Sequence, residues 1–124
     1  MKKYPAEECD PVKRAGYTAR YLADIEFPEP VDSAGFVFVR IPAGGRTRSH
    51  THYHLDEMFV AMTPLRVGVG TELHEAKVGD VFLIERGELH WFEAPASTDA
   101  LLMAIKVPNL KEDKVDSEVP RTDS

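Results

Sequence analysis

The sequence predicts an all-β fold, a small barrel or sandwich preceded by an N-terminal arm. Three observations carry this. Between Gly35 and Leu110 the chain holds seven or eight short runs rich in β-branched and aromatic residues. Gly- and Pro-containing turn signals punctuate those runs every eight to twelve residues, the spacing of a sandwich or small barrel. The chain has 124 residues, 43 % hydrophobic and 29 % charged, which suits one globular domain and excludes disordered and collagen-like chains.

The elements follow in order. Residues 1–34 are mixed in composition and contain Pro5, Pro11, Pro28 and Pro30, so an arm with at most short structure is expected. Tyr17, Tyr21 and Ile25 have helical spacing and predict a short helix there. The barrel is expected over 35–110. Gly35–Ile41 reads as a strand stopped by Pro42-Ala-Gly-Gly45. Ser49–Tyr53 is the next strand, then Glu57–Met62, closed by Thr63-Pro64. Leu65–Val69 ends at Gly70, Glu72–Ala76 follows, and Val78-Gly79-Asp80 forms a turn in which Asp80 has a structural role. Val81–Ile84 is a compact buried run stopped by Glu85-Arg86-Gly87, His90–Glu93 is short, and Leu101–Val107 ends before Pro108. Residues 111–124 are polar and charged and predict a flexible tail.

Charge narrows the function classes. The formal net charge of −6 repels phosphate backbones and anionic lipid, and no Lys/Arg block reverses it locally, so neither nucleic acid nor membrane is an expected partner. No apolar run reaches bilayer length, and the first residues show no secretory signal pattern. The one cysteine, Cys9, cannot make an intrachain disulfide, so a reducing cytoplasm is the expected compartment and a structural or incidental role is expected for the thiol.

The histidines carry the chemistry. Three of the five lie in His50-Thr-His52-Tyr-His54-Leu-Asp-Glu57. On a strand, residues two apart share a face with Cα atoms roughly 6.5–7 Å apart, so His50 and His52 can converge on one ion about 2.1 Å from each nitrogen. Glu57 has the opposite parity and joins them only through a bend, for which Leu55-Asp56 offers a place. His90 follows a strand and a Gly-containing turn. A lone His-X-His would read as a polar strand edge; a carboxylate close by and a fourth ligand turn the reading to one divalent transition metal ion. A mixed His/carboxylate set suits Mn, Fe, Ni, Cu or Zn.

These residues resemble the two motifs of the cupins, RmlC-like jelly rolls built as a double-stranded β-helix. Gly44, five residues, His50-Thr-His52, four residues and Glu57 resemble the first motif. Gly79, five residues, Glu85-Arg86-Gly87, two residues and His90 resemble the second. Three positions depart from the pattern: Pro64 stands where the first motif closes on Gly, and Glu85 and Ala94 stand for the Pro and Asn of the second. They bear on turn geometry. The resemblance spans about residues 35–107 and implies a single-domain cupin with His50, His52, Glu57 and His90 as metal ligands.

The resemblance further implies a metal-dependent enzyme acting on a small oxygenated organic acid or sugar-derived anion, by dioxygenase, decarboxylase or isomerase chemistry. The alternative is a non-catalytic cupin that binds or senses a small ligand. Arg46 and Arg48 share the parity of His50 and, on a continuous strand, would hold a substrate anion; in an exposed loop after Gly45 they would instead reach solvent. His54 is the candidate acid or base, or else a rim histidine. His74 lies in a solvent-facing hairpin, and Trp91 faces away from the barrel if His90 faces in. That second apolar surface predicts either a homodimer interface or packing under the chain's own arm.

Overall fold

The computed structural model describes residues 1–111, 113, 115 and 116. These described residues form twelve strands: β1 (Lys2–Tyr4), β2 (Val12–Arg14), β3 (Tyr17–Ala19), β4 (Gly35–Ile41), β5 (His50–Thr51), β6 (Asp56–Ala61), β7 (Leu65–Val69), β8 (Glu72–Ala76), β9 (Val81–Ile84), β10 (His90–Glu93), β11 (Ala100–Val107) and β12 (Val115–Asp116), with one 3-10 turn at Ala6–Glu8. One five-stranded sheet runs β1-β9-β6-β11-β4 and a second runs β12-β5-β10-β7-β8. Every pairing is antiparallel. From β4 to β11 the chain changes sheet at each connection except the β7–β8 hairpin, which winds a double-stranded β-helix.

Alternation sets the inner face. Along β6, Glu57, Phe59 and Ala61 are buried while their neighbours are half-exposed; along β11 the same holds for Ala100, Leu102 and Ala104. The register pairs Phe59 with Ala104 and Ala61 with Leu102, a large residue against a small one at the first pair. At the centre Phe59 stacks on Phe82 at 4.9 Å and meets Phe92 edge-on at 4.7 Å. Ile41, Leu65, Val67, Ile84 and Leu102 complete this core. On β4 the inner set is Val39 and Ile41, leaving Phe36 and Phe38 69 % and 56 % exposed on an edge strand.

The arm is tied down more than its composition suggests. The strand β1 extends the first sheet beside β9. Buried Asp80 accepts hydrogen bonds from Ala6 N (2.9 Å) and Lys77 N (2.9 Å), joining the arm to the β8–β9 turn where Gly79 has φ +89°. The structural role expected of Asp80 is thus a double backbone cap. The helix expected around Tyr17–Ile25 does not form. Ala15-Gly16 makes a two-residue turn with Gly16 at φ +85°, and β2 and β3 pair as a hairpin. A glycine free to take positive φ ends any helix and favours the turn. Residues 20–27 then lie over the outer face of the first sheet, where Tyr21, Ile25 and Phe27 share a groove with Met58, Val60, Val81 and Ile105. Cys9 Sγ points at the carbonyls of Pro5 and Leu22 within this arm.

Of the segment expected as a flexible tail, Val115–Asp116 pair with β5; residues 112, 114 and 117–124 lie outside the described residues. Trp91 is not an open surface. Its indole, 9 % exposed, lies flat on Gly68, its cross-strand partner, under the Arg46 guanidinium 5.8 Å from the ring, with Nε1 donating to Glu93 (2.7 Å). Its own chain covers it, though not through the arm. No helix among the described residues is long and apolar enough to cross a membrane.

Candidate metal centre

The fold brings His50, His52, Glu57 and His90 together, each offering a ligand atom within 4.8 Å of the others, and all four are buried. They come from both sheets. His50 on β5 pairs in register with His90 on β10 in the second sheet, while Glu57 projects from β6 in the first. The parity problem of Glu57 is solved by the chain itself: β5 ends at Thr51, residues 53–54 bend, and Leu55, fully buried, anchors the crossing to β6.

Backbone carbonyls orient all three imidazoles. His50 Nδ1 donates to Arg48 O (3.2 Å), His52 Nδ1 to Asp113 O (2.6 Å) and His90 Nδ1 to Glu88 O (3.0 Å). A carbonyl only accepts, so each Nδ1 carries the proton and each Nε2 presents a lone pair. Those lone pairs meet a carboxylate, which also only accepts. His90 Nε2 is 3.2 Å from Glu57 Oε1, and His52 Nε2 is 3.5 Å from Glu57 Oε2. His52 Nε2 is a buried atom without a hydrogen bond. Acceptors converging on acceptors in a buried site call for a cation between them. Donors each about 2.1 Å from one ion and adjacent to each other lie about 3.0–3.4 Å apart, close to the two separations observed. The donor set fits a divalent transition metal.

The electrostatics agree. Burial, then the neighbouring His90, lowers the His50 pKa from 6.5 to about 4, so its imidazole is neutral and able to ligate at neutral pH. Burial works against the Glu57 carboxylate, yet the close approach of His52 and His90 outweighs it and holds the carboxyl well below the usual range. Burial also pulls the His52 pKa down, but Glu57 and the Asp113 carbonyl outweigh it and raise it overall.

The turn before His90 keeps its function despite Glu85. Gly87, at φ +84°, donates its N–H to His52 O (2.7 Å), and Glu88 Oε1 accepts from Glu85 N (2.9 Å). A side-chain cap stands in for the rigidity a proline would supply. Ala94 N donates to Gly45 O (2.9 Å), and Pro64 lies in the connection that leads from the first sheet to the second.

A cavity of about 170 Å³ adjoins the cluster, lined by Val37, Val39, Thr47, His50, His52, Glu57, Phe92, Ala104 and Lys106. Three sequence candidates lie elsewhere. Arg46 bridges to Glu93 and covers Trp91 on the outer face. Arg48 is exposed and does not line the cavity. The shared parity required a continuous strand from 46 to 50, and none forms; Thr47 takes the inner position instead, with Oγ1 accepting from Phe92 N (2.9 Å). His54 is exposed past the bend, its N–H donating to Asp113 Oδ2 (2.6 Å), and it lines a separate outer groove with Phe27, Asp56 and Arg86. His74, on β8, pairs with Glu72 away from the site. The cation that does line the cavity is Lys106, which the sequence reading passed over. Its only signal was a charge within the apolar run Leu101–Val107.

No family model matches the sequence, and no curated protein matches it. Solved structures do share the fold. One similar structure is an uncharacterised conserved protein with a double-stranded β-helix domain from Klebsiella pneumoniae, at TM-score 0.64 and 16 % identity over 70 % of this chain and 76 % of that one. A cupin protein from Bacteroides fragilis has TM-score 0.59 and 18 % identity, covering 73 % of this chain and 80 % of that one. An oxalate oxidase in complex with the substrate analogue glycolate has TM-score 0.60 and 22 % identity, covering 68 % of this chain and 46 % of that longer one. The winding of the two sheets and these likenesses agree: the chain has the cupin fold, as a single double-stranded β-helix.

Proposed function

We propose that this protein is a metal-dependent enzyme acting on a small oxygenated organic acid or sugar-derived anion. One observation carries the reading: four buried donors face one another, and three of them, His50, His52 and Glu57, line a small cavity that Lys106 also lines. His50, His52, Glu57 and His90 would hold one divalent ion, which when bound supplies a Lewis acid for a coordinated substrate oxygen. The chain's own residues do the rest. Val37, Val39, Ala104 and Phe92 give the cavity an apolar lining, its volume limits the substrate to a few carbons, and Lys106 attracts negative charge. The oxalate oxidase likeness supports an acid as the substrate class without choosing the reaction.

The second reading, a non-catalytic cupin that binds or senses a small ligand, is favoured by the position of His54, which leaves the cavity without a histidine beyond the ligands. Metal content by plasma mass spectrometry, on protein purified without added metal or chelator, tests the shared premise. About one ion per chain is expected, and its loss in His52→Ala and His90→Ala. Wild-type metal content in both variants overturns the site. Turnover of a panel of small acids, followed by oxygen uptake and carbon dioxide release, separates enzyme from binder.

We also propose a homodimer in a reducing cytoplasm. The apolar surface that supports the dimer is the β4 edge with Phe36 and Phe38, in place of Trp91. Light scattering should give twice the chain mass, reduced to the monomer by Phe36→Glu and Phe38→Glu together.

A further inference from the structure

The cavity beside the metal centre is polarised. His50, His52 and Glu57 form one wall; Val37, Val39, Ala104 and Phe92 are apolar; Thr47 and Lys106 are the remaining polar groups. The Thr47 hydroxyl already accepts from the backbone of Phe92. Lys106 is different. It stands opposite Glu57 in the β6–β11 register, on the same face, where paired Cβ atoms lie about 4.5–5.5 Å apart. Yet it forms no ion pair with Glu57, whose oxygens are turned to His52 and His90, nor with any other described residue. On its other side the β4 partner is Gly35, and the Asn109 side chain fills the space that a Cβ there would take. A half-buried lysine that lines the cavity, with a carboxylate opposite that it does not engage, is placed for an anion from outside.

We propose that Lys106 anchors a second carboxylate of the substrate, so that the site takes short dianionic acids. One end presents its oxygens to the His50/His52/Glu57/His90 set, and the other carboxylate rests on Lys106 Nζ. This rests on the metal reading above. A carboxylate set among Val37, Val39, Ala104 and Phe92 with no cation would be strongly disfavoured, and Lys106 removes that cost.

The test compares succinate with its monoamide, succinamate, which keeps the length and drops one charge. Binding to the metal-containing protein is measured by calorimetry for wild type, Lys106→Gln and Lys106→Arg, with metal content determined on each. Wild type should prefer succinate, and Lys106→Gln should weaken succinate about 10- to 100-fold while leaving succinamate within about threefold. Lys106→Arg should retain most of the preference. A metal-containing wild type that binds both probes equally overturns the inference, as does an equal loss of both in Lys106→Gln. Loss of metal in Lys106→Gln assigns the residue to holding the site together and also overturns it. A wild type that takes up no divalent ion instead fails the metal reading on which the inference rests.

Discussion

The tautomer of His52 depends on the C-terminal segment, and this can be tested by removing it. Asp113 O accepts from His52 Nδ1 at 2.6 Å, Asp113 Oδ2 accepts from His54 N at 2.6 Å, and β12 pairs Val115 with Thr51 and Asp116 with His50. His50 and His52 are thus held from behind by Asp113, Val115 and Asp116. A chain ending at Lys111 loses the partner that fixes Nε2 as the ligand atom of a buried imidazole. Leaving such a donor unsatisfied costs about 1–3 kcal/mol, and water entering the vacated space recovers part of it, so a loss of about 1–2 kcal/mol is expected. At about 1.4 kcal/mol per factor of ten, metal affinity should fall about 5- to 30-fold, within the range typical when the partner of a ligating histidine is removed. Competition for zinc against a chromophoric chelator measures this, with circular dichroism to show that the barrel persists. Nitrogen chemical shifts of His52 should report proton occupancy of Nδ1 in the full chain and a mixture in the shortened one. Asp113→Ala keeps the carbonyl and should stay within about twofold of wild type. An unchanged affinity in the shortened chain would refute the reasoning.

Two further expectations concern stability. A Cβ at Gly68 would lie 2.0 Å from Trp91 Cε2, so Gly68→Ala must displace the indole. Overpacking of this kind costs about 1–3 kcal/mol, and a fall in Tm of roughly 5–15 °C with red-shifted tryptophan fluorescence is expected; an unchanged Tm would show that the sheet yields freely there. The metal-free protein should also lose stability in acid through His50. Its folded pKa of about 4 lies below the unfolded 6.5, so the unfolded chain binds more protons between these values and stability falls as pH drops through that window. The contribution is on the order of 3 kcal/mol, and His50→Gln should flatten the pH dependence of Tm between pH 6.5 and 4; the same slope in the variant would assign the loss to other groups.

Much of the barrel was legible because its signals are local. The strands Leu65–Val69, Glu72–Ala76, Val81–Ile84 and His90–Glu93 have the bounds expected of them, since each is a short run between turn residues such as Pro64, Gly70, Gly79 and Gly87. The strand expected at Ser49–Tyr53 shrank to His50–Thr51 because the chain there leaves one sheet for the other. That shortening turned His54 outward. The break before Ser49 did the same to the parity argument for Arg46 and Arg48. The hairpin in place of a helix at Tyr17 followed from a Gly16 turn that side-chain spacing does not register.

By itself the sequence determined the all-β class, most of the barrel's turns and the candidate donors His50, His52, Glu57 and His90, because turn chemistry and donor type are legible within a few residues. Tertiary structure alone decided what surrounds that group. Lys106 reaches the cavity through its register with Glu57, about fifty residues away along the chain. Asp113 reaches His52 through β12 pairing on β5, and Trp91 is covered because β7 sets a glycine beneath it. These contacts depend on which strand lies beside which and in what register. Pairing energy is shared among many similar apolar strands, so only the closed barrel selects among them.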